Sequence, residues 1–235
     1  MARESLDQKR SRTTVLIRAL AAAYPEAHCE LNYSNPLELL IATILSAQCT
    51  DKQVNLVTPD LFTKYSSAKD YADAPLEQLS SDIRRIGLFR NKAKFIQSCC
   101  RDLVALHRGE VPREMPQLTA LAGVGRKTAN VVLGNAFGIN DGVVVDTHVA
   151  RVSARLRLSQ ASSPEGIERD LQKLVPRNQW TLFSHLLIWH GRRRCWARKP
   201  DCPGCEIRTW CPFGIAALAT PITAVAAVRA KETGS

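Results

Sequence analysis

The sequence lacks any segment that marks a protein for export or for a membrane. Its first ten residues, MARESLDQKR, are charged, and no apolar stretch follows them. The longest apolar segment, 215–228, is too short to cross a bilayer and is interrupted by Pro221. We therefore expect a cytoplasmic protein in a reducing compartment.

Alternating strand patterns are few and internal repeats are absent, whereas helix signals are frequent. Asn35 is placed to cap a helix, with Pro36 in its first turn and Glu38 as its capping-box partner, before the apolar run 37–45. Asp51 is expected to cap the next helix. These signals predict an all-α fold.

Later helices are marked mainly by their ends. One is expected to start at Pro75 and to end at Gly87, and apolar residues at helical spacing predict a long helix over 89–108. The Ala-rich and then polar segment 215–235 is predicted to be a loosely ordered tail, although a packed helix also fits it.

Acidic residues are too few to balance the basic ones. The 235-residue chain has 32 Lys and Arg against 22 Asp and Glu, which gives a net charge of +10. Such an excess favours a polyanionic partner, nucleic acid before a membrane surface. A solvated basic face explains the charge equally well.

Eight cysteines in a reducing compartment indicate a metal site more than disulfides. Cys195, Cys202, Cys205 and Cys211 follow the spacing C-x6-C-x2-C-x5-C. A second C-x2-C pair, usual in structural zinc sites, is missing, and we therefore predict a [4Fe–4S] cluster. Four unrelated buried cysteines are the alternative. The remaining cysteines are expected to be small core residues: Cys29, Cys49, Cys99 and Cys100.

A concentration of cations surrounds the first of these cysteines. Arg194 precedes it, and Arg198 and Lys199 lie between the first and second cysteines. A metal-anchored loop that displays these side chains is suited to phosphate contacts. The alternative is charge that serves only solubility.

Two glycines lie between apolar helical segments in the run 118–133. Gly123 is expected to take a left-handed turn, and Gly125 to let the backbone approach a ligand where the second helix begins. The free N–H groups of that helix start would bind phosphate. We interpret the segment as a helix-hairpin-helix, with a simple helix–helix corner as the alternative.

Lys127 lies in the first turn of that second helix, next to Arg126. The helix dipole and the neighbouring cation are both expected to lower the pKa of a lysine, and the neutral amine is the nucleophilic form. A further phosphate-binding cation is an equally good interpretation from these residues alone.

Asp146 follows the apolar run 142–145 and precedes another helix. Its expected structural role is to cap that helix. A capping carboxylate at the mouth of a cleft can also oppose positive charge that develops on a sugar.

Four motifs together resemble the endonuclease III family of helix-hairpin-helix DNA glycosylases. They are the glycine segment 121–133, Val-Asp-Thr-His at 145–148, Ile-Gly-Leu-Phe at 86–89 and the four-cysteine pattern. The resemblance covers roughly residues 10–213. The joint occurrence of the four motifs is highly specific.

The resemblance implies two helical domains with a DNA-binding cleft between them. A six-helix barrel that contains the helix-hairpin-helix would span 29–140. Residues 1–28 and 141–214 would form the iron–sulfur cluster domain, and 215–235 the C-terminal tail.

The resemblance also implies the reaction. Lys127 would attack C1′ of a damaged nucleotide with the help of Asp146, the base would leave, and a Schiff base would form. β-Elimination would then cut the strand on the 3′ side. The substrates would be oxidised pyrimidines such as thymine glycol, or abasic sites, in double-stranded DNA, bound by a monomer in the nucleoid.

Three further DNA-contact residues come from the resemblance. Gln48 would pair with the orphaned base and Leu88 would wedge into the stack once the damaged base is flipped out. Gln48 also fits an ordinary helix end, and Leu88 the hydrophobic contact of a helix cap after Gly87. His148 would face DNA or the site, or would simply be a buried histidine at a helix start.

Two other functions stay open at this point. A monofunctional relative such as an adenine glycosylase fits the fold, but it lacks the lysine. A DNA-binding iron–sulfur protein that senses damage or redox state fits the cysteines and the charge, but it needs neither Lys127 nor Asp146.

Overall fold

The computed structural model describes residues 4–219, in which all regular secondary structure is helical. Within these residues, no strand is found, and no helix is long and apolar enough to cross a membrane. Two 3-10 turns, Arg177–Gln179 and Arg208–Trp210, accompany the α-helices. The α-helices are α1 (Leu6–Ala23), α2 (Pro36–Ser46), α3 (Asp51–Asn55), α4 (Thr58–Lys64), α5 (Ala68–Asp73), α6 (Leu76–Asp82), α7 (Phe89–His107), α8 (Met115–Thr119), α9 (Arg126–Ala136), α10 (Thr147–Arg155), α11 (Pro164–Gln172), α12 (Trp180–Arg193) and α13 (Pro212–Ala219).

The chain divides into two compact units. Cys29–Val144 forms one, which we call the hairpin unit because it contains both glycines of the turn. Met1–His28 and Val145–Ser235 form the other, called the cysteine unit, of which the structure describes 4–28 and 145–219. The predicted all-α fold with two helical domains is confirmed.

The hairpin unit is built around α2 and α7. Residues 39–45 of α2 are all buried, as expected for a helix covered on most sides. α7 is amphipathic instead: Ala93, Ile96 and Leu103 are fully buried, whereas Leu106 is 72% exposed. Burial of these two helices supplies the unit with one continuous apolar core.

The start of α2 follows its sequence signals closely. The side chain of Asn35 accepts a hydrogen bond from the Glu38 backbone N–H at 3.0 Å, and Pro36 lies in the first turn. The carboxylate of Glu38 accepts from the Ser34 N–H at 2.6 Å, one residue before the capping-box position. Such a cap contributes about 1 kcal/mol to helix stability.

Two predicted helix ends were wrong. Thr50, not Asp51, caps α3, because its backbone is extended and its hydroxyl accepts from the Gln53 N–H at 3.2 Å. α6 ends at Asp82 rather than Gly87, since the chain turns inward there to bury the side chains of residues 83 and 86.

The cysteine unit begins with a helix that no sequence signal above predicted. Ser5 and Gln8 form a capping box at the start of α1, a pattern visible in the sequence. Leu16 and Leu20 of α1 are fully buried, as is Phe183 of α12. These apolar contacts make α1 part of the unit that holds the cysteines.

The predicted C-terminal tail starts inside a helix. α13 runs to Ala219, so residues 215–219 are helical, with Ile215 and Leu218 about half exposed. The remainder of the predicted tail, 220–235, lies outside the described residues.

Candidate active site and metal centre

The glycine turn between α8 and α9 takes the conformation expected of it. Gly123 has a φ of +74°, and a Cβ added there would lie 2.9 Å from the Cβ of Phe95. Both the backbone and the available space therefore require glycine. Gly125 caps α9 with an ordinary φ of −86°, and a Cβ there would meet nothing within 4 Å. Open space thus faces the start of α9.

Lys127 is the second residue of α9 and is exposed to solvent. Gly125 offers no side chain to accept hydrogen bonds from the first turn of the helix, and no side-chain cap is formed. The positive end of the helix dipole thus faces an open region, an arrangement that favours a bound anion.

Asp146 caps α10, as its position in the sequence predicts. Its Oδ1 accepts from the Val149 backbone N–H at 2.8 Å, and its own backbone is extended. The carboxylate is half-buried and held in one orientation by this bond.

His148 lies in the first turn of α10 and is half-buried. Its Nδ1 is 3.0 Å from Nη2 of Arg151. Burial lowers the pKa of His148, and Arg151 adds to this effect although Asp146 opposes it. The ring is thus held against Arg151 at the start of α10.

Gln48 and Leu88 occupy adjacent exposed loops of the hairpin unit. Both have left-handed backbones, with φ of 53° and 58°, which costs about 1–2 kcal/mol for each residue that is not glycine. A Cβ on Gly87 would lie 3.8 Å from the Gln48 carbonyl oxygen, so the loops run side by side. Leu88 is 57% exposed and is not the contact of a helix cap, because α6 ends at Asp82.

The four predicted metal ligands line one cavity. Cys195, Cys202, Cys205 and Cys211 are all free thiols, and the same cavity is closed by apolar side chains such as Leu156. Four thiols that line one cavity form a donor set that fits a metal centre with thiolate ligands.

Hydrogen-bond donors face two of these sulfurs, and a histidine ring lies beside a third. Nη1 of Arg155 lies 3.1 Å from Sγ of Cys195, and the Gly214 backbone N–H lies 3.3 Å from Sγ of Cys211. His190 Nε2 lies 3.7 Å from Sγ of Cys205. Donors aimed at sulfur stabilise thiolates, the form that binds metals.

The buried environment opposes free thiolates unless a metal is present. Burial raises the pKa of Cys205 to about 11 and also raises the pKa values of Cys202 and Cys211, and neighbouring cysteines add to each effect. Burial lowers the pKa of His190 to about 4, so its ring is neutral. Metal binding at this site would release protons from the cysteines.

His190, Cys205 and Glu206 also place one possible ligand atom each within 4.8 Å of one another. The carboxylate of Glu206, however, is held by Arg194 at 2.7 Å. Tyr24 places its hydroxyl 3.0 Å from Nδ1 of His190. We interpret this group as the polar surround of Cys205 rather than as a separate ion site.

The cations around Cys195 divide into two kinds. Arg194 contacts Asp201 at 2.6 Å as well as Glu206, so two carboxylates neutralise its charge and it braces the loop. Arg198 and Lys199 are exposed on the same loop, and Lys199 has a φ of 51°. The structure therefore separates Arg194 from the exposed cations with which the sequence grouped it.

Arg155 is a residue that the sequence did not single out. Besides the sulfur of Cys195, its guanidinium contacts the carbonyl oxygens of residues 195, 196 and 197, and it stacks over Phe213 at 4.8 Å. No local motif predicts this role, because the partners of Arg155 lie at least 40 residues away along the chain. His190 has a weak signal, since it lies five residues before Cys195.

Comparisons with known proteins agree on one family. Residues 41–177 match the HhH-GPD superfamily of base excision DNA repair proteins. Endonuclease III of Synechocystis sp. is 52% identical over 204 residues, covering 87% of this chain and 93% of that protein.

Two solved structures are also similar. The chain matches a non-covalent Endonuclease III–DNA complex with a TM-score of 0.84 and 46% identity, over 90% of this chain and 99% of that one. A trapped covalent intermediate of Endonuclease III with DNA matches with the same TM-score and identity, over 89% and 98%. The chain therefore belongs to the HhH-GPD superfamily of base excision DNA repair proteins, and it is an enzyme with DNA glycosylase and AP lyase activity.

Proposed function

We propose that this chain excises oxidised pyrimidines of the thymine glycol type from double-stranded DNA and then cuts the strand, with Lys127 as the nucleophile. The observation that carries the proposal is an exposed lysine in the first turn of α9, directly after the Gly123–Gly125 turn. The trapped covalent complex of a similar protein supports a mechanism with a bond between enzyme and DNA.

The reaction needs the lone pair of an uncharged amine. Nζ of Lys127 attacks C1′, the C1′–base bond breaks, and the base leaves with a proton. The sugar ring opens at its C1′–O4′ bond to give a Schiff base. Loss of a proton from C2′ then expels the 3′ phosphate, which is β-elimination.

Asp146 is proposed to assist at the sugar. One oxygen, Oδ1, is fixed by the Val149 N–H, so the carboxylate is oriented before substrate binds. A preorganised negative charge stabilises positive charge that develops on the sugar as the base departs.

Several groups are proposed to bind the DNA backbone. The turn at Gly123 and Gly125 and the start of α9 suit a phosphate, since the helix dipole is positive there. Arg198 and Lys199 are proposed to contact phosphates from the exposed loop. Arg194 is proposed to hold that loop in shape, because its charge is already paired. His148, at the start of α10, is proposed to face the DNA as well.

Gln48 and Leu88 are proposed to fill the space that a flipped nucleotide leaves. Gln48 offers an amide to the orphaned base, and Leu88 offers an exposed apolar wedge. Their left-handed backbones are strained conformations of the kind that accumulate at functional sites.

The cysteine cavity is proposed to hold a [4Fe–4S] cluster that anchors the basic loop. Cys195, Cys202, Cys205 and Cys211 would be its thiolate ligands. When bound, the cluster supplies a fixed crosslink among four points of a segment that buries few apolar side chains. The protein is proposed to act as a monomer on damaged DNA in the cytoplasm, at the nucleoid.

Borohydride trapping tests the mechanism. The wild-type chain and sodium borohydride, mixed with duplex DNA that carries thymine glycol, are expected to give a covalent adduct visible by electrophoresis. Lys127→Gln is expected to abolish the adduct, whereas the control Lys69→Gln removes an exposed lysine from α5 and is expected to keep it. Base release without any adduct in the wild type, or undiminished trapping in Lys127→Gln, would contradict the proposal.

A further inference from the structure

One lysine of the hairpin unit lies on the buried, apolar face of its helix. Lys92 is in the first turns of α7, on the face that also carries Ile96 and Cys99, and only 4% of its surface is exposed. A lysine in an apolar stripe costs free energy unless its ammonium group has a partner. The partner of the ammonium group therefore decides what this residue does.

The partner of Lys92 is the end of another helix. Nζ of Lys92 donates to the carbonyl oxygen of Leu45 at 2.8 Å, in the last turn of α2. A helix C-terminus carries partial negative charge, so a cation is favoured there. Burial lowers the pKa of Lys92, although nearby Cys49 opposes the effect, and the bond to the Leu45 carbonyl oxygen compensates for part of the burial of the ammonium group.

Both ends of this contact lead directly to the loops described above. Leu45 precedes Gln48 by three residues, and Lys92 follows Leu88 by four. The Leu88 carbonyl oxygen accepts from the Lys92 backbone N–H at 3.1 Å. Lys92 thus contacts Leu88 through its backbone N–H. Its ammonium group contacts Leu45, three residues before Gln48.

A second side-chain link between the two loop regions is weaker. Nε2 of Gln53 donates to the Arg85 carbonyl oxygen at 3.3 Å, in an exposed position. Water competes for such a bond, whereas it is excluded from the bond that Lys92 makes.

We infer that Lys92 is a positioning residue that holds the Gln48 loop and the Leu88 loop in register, so that both side chains enter the duplex as one unit. The inference rests on the proposed void-filling role of Gln48 and Leu88. Lys92 itself is buried, so it is inferred to act through these loops and not through a contact with DNA. A displacement of about 1 Å at such a site can cost about 100-fold in rate.

Lys92→Met tests the inference, because it keeps the aliphatic stem and removes the donor. The control Lys69→Met removes the same charge from an exposed pair in α5 of the same unit. The probe is a duplex with a non-cleavable tetrahydrofuran abasic analogue opposite 2-aminopurine, whose fluorescence reports unstacking when the wedge enters. We expect Lys92→Met, like Leu88→Ala, to lose most of the fluorescence change, and Lys69→Met to keep it.

Cleavage assays separate positioning from general damage to the fold. Single-turnover cleavage of a duplex abasic site is expected to fall by about 10-fold or more in Lys92→Met. Cleavage of the same site in single-stranded DNA has no void to fill and is expected to stay within about twofold of wild type. A parallel loss on single strands would overturn the inference in favour of a structural role.

A double-mutant cycle gives the sharpest test. In a Gln48→Ala, Leu88→Ala background, Lys92→Met is expected to cause no further loss on duplex DNA, because the loops have nothing left to position. An unreduced, additive loss would overturn the inference. If wild-type protein leaves 2-aminopurine unchanged but still forms the borohydride adduct, the void-filling role and this inference both fail while the Lys127 mechanism stands.

Discussion

The hairpin unit and the cysteine unit are stabilised by different kinds of interaction. Around α2 and α7 the hairpin unit buries a continuous set of apolar side chains. In the segment 194–214 of the cysteine unit, the buried apolar positions are few: Cys202, Ile207 and Cys211. Polar contacts connect this segment instead: the ion pairs of Arg194 and the hydrogen bonds of Arg155.

This difference explains why the metal centre belongs in the cysteine unit. A segment that buries little apolar surface gains little from the hydrophobic effect, and a crosslink through bound metal can replace it. The hairpin unit has a continuous apolar core and needs no such crosslink. Three perturbations separate the two modes of stabilisation.

Loss of the cluster should have the largest effect, and it should be local. We predict that Cys202→Ser removes the absorption near 400 nm and greatly increases hydrogen exchange across 194–214. The core of α2 and α7 should retain its protection because apolar burial holds it. Cys29→Ser, a matched change at a half-buried cysteine, should leave both signals intact. Loss of protection in α7 would contradict this division.

Alanine at the two turn glycines should give an intermediate and unequal effect within the hairpin unit. Gly123→Ala combines a left-handed φ with a contact of 2.9 Å to Phe95 and should cost about 2–3 kcal/mol. Gly125→Ala meets nothing within 4 Å and should cost less than about 1 kcal/mol, while it weakens DNA binding. Urea denaturation measures the free energy of unfolding of both variants. Equal destabilisation would show that the contact with Phe95 does not restrict residue 123.

A polar contact on the hairpin unit should matter least. Burial raises the pKa of Asp82, but hydrogen bonds from Lys64, Tyr65 and Gln78 outweigh it and lower the pKa below the usual value of 3.8. The stabilising contribution is therefore complete above pH 3.8 and is lost as the pH falls through the lowered pKa. Asp82→Asn should cost under about 1 kcal/mol at pH 7 and nothing at strongly acidic pH, as measured by thermal unfolding.

A matched variant controls for the loss of charge alone. Asp73→Asn removes the carboxylate of a more exposed pair with Lys69. Asp73→Asn should lower the free energy of unfolding at pH 7 by less than Asp82→Asn does. A cost for Asp82→Asn that persisted at acidic pH would contradict the assignment to these hydrogen bonds.

Local signals in the sequence predicted much of the hairpin unit. The cap at Asn35, the long α7 and the left-handed turn at Gly123 depend on residues a few positions apart, and the structure contains all of them. The ends of α3 and α6 were misplaced because neighbouring residues compete as caps and because burial of Ile83 and Ile86 decides where the chain turns.

Residues that act through distant partners could not be predicted in the same way. Arg155 contacts a loop 40 or more residues away, and the sequence around it contains no motif. The sequence shows the charge of Arg194 but not its carboxylate partners, Asp201 and Glu206. Lys92 carried a usable signal: a charged residue in the apolar stripe of an amphipathic helix indicates a buried partner.

Peptide mapping of the borohydride-trapped adduct tests the central claim most directly. After digestion of protein and DNA, mass spectrometry identifies the residue that carries the reduced sugar fragment. The account predicts the modification on Lys127, in the peptide that begins α9. A fragment attached to any other lysine, or to the protein N-terminus, would contradict it.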